Sequence, residues 1–82
     1  MTREAIRLVV EKGDRLVAWL KDQREERGLT MRDLALLLSV PHSFIGKVEQ
    51  AERRLDVVEF LTYCEALNVS PVDGLKVINP AL

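Results

Sequence analysis

Cysteine occurs once in this 82-residue chain, and so does histidine. One cysteine excludes an internal disulfide, and the pair cannot supply the three or four ligands of a zinc site, so no metal is expected. No stretch approaches the ~20 apolar residues of a membrane span. The N-terminus also lacks a basic stretch followed by an apolar run and a small-residue cleavage site, so a cytoplasmic location is expected. There is no glycine-rich phosphate loop, no paired carboxylate set and no nucleophile with a base beside it. An enzyme is therefore not expected, nor a cofactor. Repeats, low-complexity tracts and linkers are missing, as is any segment for a small-molecule effector. An excess of positive charge is missing too: the net charge is −1 and the pI about 5.8.

What is present is 48% apolar and 30% charged residues, the balance of one small globular domain. The chain divides into an N-terminal extension over residues 1–13, a helical domain over 14–78 and a loose tail over 79–82. Residues 1–12 read as a helix, with Gly13 as a break, or as an edge strand IRLVV paired with LKVIN. The Arg, Glu and Ala that open the segment favour the helix. Asp14 can cap a helix running to about Arg27, with Leu16, Val17, Trp19 and Leu20 inward and Gly28 as its stop. Trp19 reads as core, with a dimer contact as the alternative.

Residues 28–50, GLTMRDLALLLSVPHSFIGKVEQ, carry the densest pattern. Thr30 caps one short helix with Asp33 three residues on; Ser39-Val40 turns the chain; Pro41 opens another helix, where a missing N–H costs nothing. Leu34, Ala35, Leu38, Val40, Ile45 and Val48 fall where two crossed helices need apolar contacts. His42, Ser43, Gly46, Lys47 and Gln50 form a separate outward face of short, hydrogen-bonding groups. Such a unit is a helix-turn-helix, whose second helix reads duplex DNA. Beyond it, Asp56 with Glu59 resembles a capping box for a helix from about Val57 to Leu67, with Val57, Phe60, Leu61, Cys64 and Leu67 inward. Asn68 suits a left-handed stop, and Ser70-Pro71 opens a last short helix.

The stretch LTMRDLALLLSVPHSFIGKVEQAERRLDVVEFLTYCEALNVSP resembles the phage-repressor and Cro type of regulator, called Xre-like, over about Leu16 to Leu75. It is most similar to a subgroup whose third helix reads Pro-Gln-Ser-Phe, a branched apolar residue, Ser-Lys, an apolar residue and Glu. The resemblance implies an all-α, compact five-helix repressor-like domain whose third helix enters the major groove, commonly as a dimer on two half-sites. It also implies that Arg24 and Glu49 form a buried ion pair between the first and third helices. Four positions depart from the pattern. Met31 stands where the family has a phosphate-contacting Gln, His42 where the subgroup has Gln, and Gly46 where it has Ser. Gln50-Ala51 replaces a polar residue followed by Gly.

The expected partner is double-stranded DNA, bound by a homodimeric transcriptional regulator acting as a repressor. Lys47 can donate to guanine or to a phosphate, or stand merely solvated; His42 can read a base edge or stand idle. Ser43 can meet a base or phosphate, or cap its own helix. Gly46 costs ~1 kcal/mol inside a helix, which either a close backbone approach to DNA or simple drift would explain. Phe44 meets a thymine methyl or packs on the following loop. Thr30, Gln50, Arg53 and Arg54 are the candidates for the DNA backbone. Val72, Leu75, Val77 and Ile78, with Ile6, Leu8 and Val9, are the candidates for a dimer surface. Low net charge, Met31 and Phe44 leave a second reading, a protein-interaction module of antitoxin or adaptor type on the same fold.

Overall fold

A computed structural model describes residues 1–82 as five helices and no strand. They are α1 (Arg3–Glu26), α2 (Met31–Leu38), α3 (His42–Glu49), α4 (Val57–Leu67) and α5 (Pro71–Ile78). The strand alternative for IRLVV is thereby excluded: that segment is helical, and LKVI closes α5. The break expected at Gly13 is also absent. α1 starts at Thr2, whose hydroxyl accepts the Ala5 amide at 3.1 Å, and runs through Gly13 and Asp14 without a cap at either. A lone glycine costs a helix only about 1 kcal/mol, and the good helix formers around it carry the ladder across. The segment expected as an extension is thus the opening part of α1.

Stop signals fall where the sequence places them. Gly28 adopts φ 68, and the amides of Gly28 and Leu29 return to the carbonyls of Glu25 and Arg24. Thr30–Asp33 and Asp56–Glu59 are complete capping boxes, with each side chain bonded to the other residue's amide. Ser39 (φ 56) and Asn68 (φ 57) close α2 and α4 in the left-handed region. Ser70 stands at the N-cap of α5 but makes no side-chain cap bond there.

The core lies where α1, α2, α3 and α4 meet: Leu20, Leu34, Ala35, Ile45, Val48, Phe60, Tyr63, Cys64 and Leu67 are buried. α5 packs along α1, and the contact depends on a glycine. A Cβ on Gly74 would lie 2.6 Å from Cζ3 of Trp19, so the indole ring occupies the space a side chain would take. The stripe expected on α4 is corrected at two positions. Val57 is 74% and Leu61 48% exposed, while Tyr63 is buried in their stead. Val57 is the first residue of α4, in a turn that stands in solvent together with Val58. Leu61 lies about 100° around the helix from buried Phe60, whereas Tyr63, Cys64 and Leu67 follow Phe60 at helical spacing.

Candidate nucleic-acid interface

α3 is short, so its stability comes from anchoring rather than from its own hydrogen bonds. Ile45 and Val48 are fully buried and fix one side. The turn that aims α3 is held by Ser39 and by the Val40 amide, which donates to the Ala35 carbonyl at 3.0 Å. Ala35, buried between the helices, is small enough to let them cross closely. At the far end Glu49 is seized by Arg24 from α1. Nε donates to Oε2 at 2.6 Å and Nη2 to Oε1 at 3.0 Å, while Nη1 donates to the Leu29 carbonyl at 2.7 Å. The Glu49 hydrogen bond is the main cause holding the Arg24 guanidinium above its ordinary range.

With that side fixed, the opposite side of α3 faces solvent. His42, Ser43, Lys47 and the cap residue Gln50 are exposed, and Gly46 between them is half-buried. Pro41 is the N-cap, and α3 has no side-chain cap bond, so Ser43 does not serve as one. A Cβ on Gly46 would meet nothing within 4 Å, so nothing inside the protein requires a glycine there. Thr30 is exposed, yet its hydroxyl already accepts the Asp33 amide at 3.1 Å. Arg54 and Arg32 are exposed.

Arg53 is placed differently. Past α3, Ala51 takes φ 60, a left-handed conformation that costs a residue with a Cβ roughly 1–2 kcal/mol. The amides of Glu52 and Arg53 fold back onto the Lys47 carbonyl. This curl brings the Arg53 guanidinium carbon to 4.6 Å from the centre of the Phe44 ring. Both its terminal nitrogens reach the Glu59 carboxylate, at 3.0 and 2.8 Å. Phe44 thus packs against the loop that follows α3. Arg53 holds the Glu59 carboxyl below the usual range, aided by the Asp56 amide. The sequence marks Glu59 only as a capping residue. Its link to Arg53, six residues away across a loop, has no periodic signature.

A buried polar group that the sequence did not single out is Tyr63. Its hydroxyl is buried without a hydrogen-bond partner, and its ionisation is pushed up by burial first and by Glu49 second. The spacing from Phe60 to Tyr63 and Leu67 is the signal that would have found it. Of the candidate dimer residues, Val72 is exposed, whereas Leu75, Val77 and Ile78 are half-buried, Leu75 against the core. Ile6, Leu8 and Val9, with Val10, are exposed along the first half of α1.

A family profile described as helix-turn-helix matches residues 20–73. No curated protein matches the sequence significantly. Among solved structures, an XRE-family like protein from Pseudomonas syringae pv. tomato is similar at 31% identity, covering 98% of both chains with a TM-score of 0.90. The clp gene regulator ClgR from C. glutamicum is similar at 24% identity over 87% of this chain and 92% of its own, with a TM-score of 0.76. The restriction-modification controller protein C.AhdI from Aeromonas hydrophila is similar at 28% identity over 77% of this chain and 91% of its own, with a TM-score of 0.65. The Pseudomonas protein aligns over nearly its whole length, so the long first helix lies within the shared fold.

Proposed function

This chain belongs to the helix-turn-helix family of the Cro/Xre type, and on that premise we propose that it is a sequence-specific DNA-binding transcriptional regulator acting as a repressor. α3 enters the major groove, and a homodimer sets two such helices on half-sites one helical turn apart, ~34 Å. The observation that carries this reading is the division of α3: Ile45, Val48 and Glu49 are held inside, while His42, Ser43 and Lys47 point outward. His42, Ser43 and Lys47 meet base edges, with Gly46 letting the helix backbone come close. Arg54, Gln50 and Thr30 lie toward the sugar-phosphate backbone, and Arg53 stands beside them with its terminal nitrogens on Glu59. The description of C.AhdI as a controller protein supports a regulatory role. Exposed Val72 with Ile6, Leu8 and Val9, joined by the half-buried Leu75, Val77 and Ile78, supplies the apolar surface assigned to the dimer.

Selection of bound duplexes from a random pool, followed by titration of the winning sequence, tests the proposal. Wild-type protein binds with a log K that falls linearly with log salt, as released counterions require. Lys47→Ala weakens binding by about 1–3 kcal/mol and relaxes preference at one base position. Affinity within twofold of wild type would remove Lys47 from the reading set. A duplex with two half-sites binds in a steeper transition than one with a single half-site.

One observation favours the second reading, a protein-interaction module: Leu36 and Leu37 on α2 are 79% and 59% exposed. A module of that kind shows no salt-sensitive retention of DNA in the same titration.

A further inference from the structure

We propose that Glu59 sets the affinity of this domain for the phosphate backbone by holding Arg53 in an internal ion pair. The inference rests on the DNA-binding reading of α3.

Arg53 sits in the loop immediately after α3, where on that reading a cation could meet a phosphate. Here both of its terminal nitrogens are turned to a carboxylate. One terminal nitrogen reaches Glu59 Oε1 at 3.0 Å and also the Arg54 carbonyl; the other reaches Oε2 at 2.8 Å. A face of the guanidinium lies over Phe44 of α3, with the central carbon 4.6 Å from the ring centre. A carboxylate and a phosphate compete for the same planar pair of donors, so an arginine with both terminal nitrogens on Glu59 cannot offer that pair to DNA. Glu59 is itself pinned, since Oε1 also accepts the Asp56 amide at 2.9 Å in the capping box of α4. The pair is part-exposed, with 39% and 33% of the two side chains accessible. Solvent and phosphate can therefore reach it once the carboxylate charge is removed. Lys47 and Arg54 then remain as the exposed cations on α3 and its loop.

Glu59→Gln tests this, because glutamine keeps the acceptor that the capping box needs while removing the charge that retains Arg53. Wild type, Glu59→Gln, the double variant Arg53→Gln/Glu59→Gln and Glu52→Gln are titrated on one random-sequence duplex over a range of salt. Glu52 is exposed on the same loop, so its variant makes the same charge change without a held arginine. Circular dichroism confirms that all four are folded.

The expected result is tighter binding by Glu59→Gln, with a log K against log salt slope steeper by about 0.9, the signature of one added phosphate contact. Its advantage over wild type then grows roughly threefold as salt falls from about 200 to about 50 mM. The double variant returns to the wild-type slope, and Glu52→Gln stays close to it. An unchanged slope in Glu59→Gln overturns the proposal, as does an equal steepening in Glu52→Gln. A double variant with a slope shallower than wild type also overturns it, because Arg53 would then already be on a phosphate. If none of the four proteins retains DNA, the DNA-binding reading falls and this inference with it. If wild type binds and only the variants disagree, this inference alone falls.

Discussion

Single residues divide here into those the fold needs and those it does not. Gly74 is needed, because the indole of Trp19 fills the place of its side chain. Gly46 is not, since its missing Cβ would point into open space. Gly46→Ala should therefore stabilise the protein by about 1 kcal/mol in urea unfolding, through helix propensity alone. The same change should weaken DNA binding, because the added methyl stands on the face assigned to the groove. Greater stability with unchanged affinity would show that the DNA backbone and bases keep their distance from that residue. Cys64 is a core residue, and burial pushes its thiol up to about 11, which leaves it protonated and inert at neutral pH.

Among the elements, α1 organises the rest. Its 24 residues, about 36 Å of helix, run nearly the length of a molecule 38 Å long. One helix thus carries Trp19 against α5 and Arg24 against α3. The Arg24–Glu49 pair is the tie that orients α3, with side chains only 9% and 3% exposed. Glu49→Gln strands much of a buried charge and should cost about 3–5 kcal/mol by denaturant titration. Replacing both partners with apolar residues should cost less than either single change. If Glu49→Gln left the unfolding midpoint unmoved, α3 would owe its position to Ile45 and Val48 alone.

At the scale of the whole molecule, charge placement outweighs its sum. The net charge is −1, yet exposed cations stand on and beside α3, and screening beyond ~10 Å keeps remote carboxylates out of the local field. The capping boxes also set the response to acid. The Thr30 amide, chiefly, lowers the Asp33 carboxyl, and Arg53, then the Asp56 amide, lower that of Glu59. Between the lowered and ordinary values the unfolded chain binds more protons than the folded one, so stability rises with pH across that window. Their contribution is complete above about 4.5, the ordinary glutamate value, and is lost as pH falls through the lowered ones. The thermal midpoint should therefore hold level from neutral pH down to about 5 and drop below it. Asp33→Asn together with Glu59→Gln should flatten that drop.

Short-range chemistry made most of the fold legible in the sequence. Thr30 with Asp33, Asp56 with Glu59, Gly28 and Asn68 each act within a turn of their own backbone, and Ile45 and Val48 announce the buried side of α3 by spacing. Gly13 misled because a local breaker signal is worth only about 1 kcal/mol against a helix that continues on both sides. Whether Val57, Leu61 or Tyr63 turns inward depends on where α4 meets its neighbours. The hold of Glu59 on Arg53 depends on a chain reversal at Ala51 in an uncommon left-handed conformation. Capping and periodicity are properties of consecutive residues, so the sequence alone determined the helices from α2 to α5 and the outward face of α3. Which of the charges near that face are free, and which are already neutralised by a residue across a loop, only the packed chain could decide.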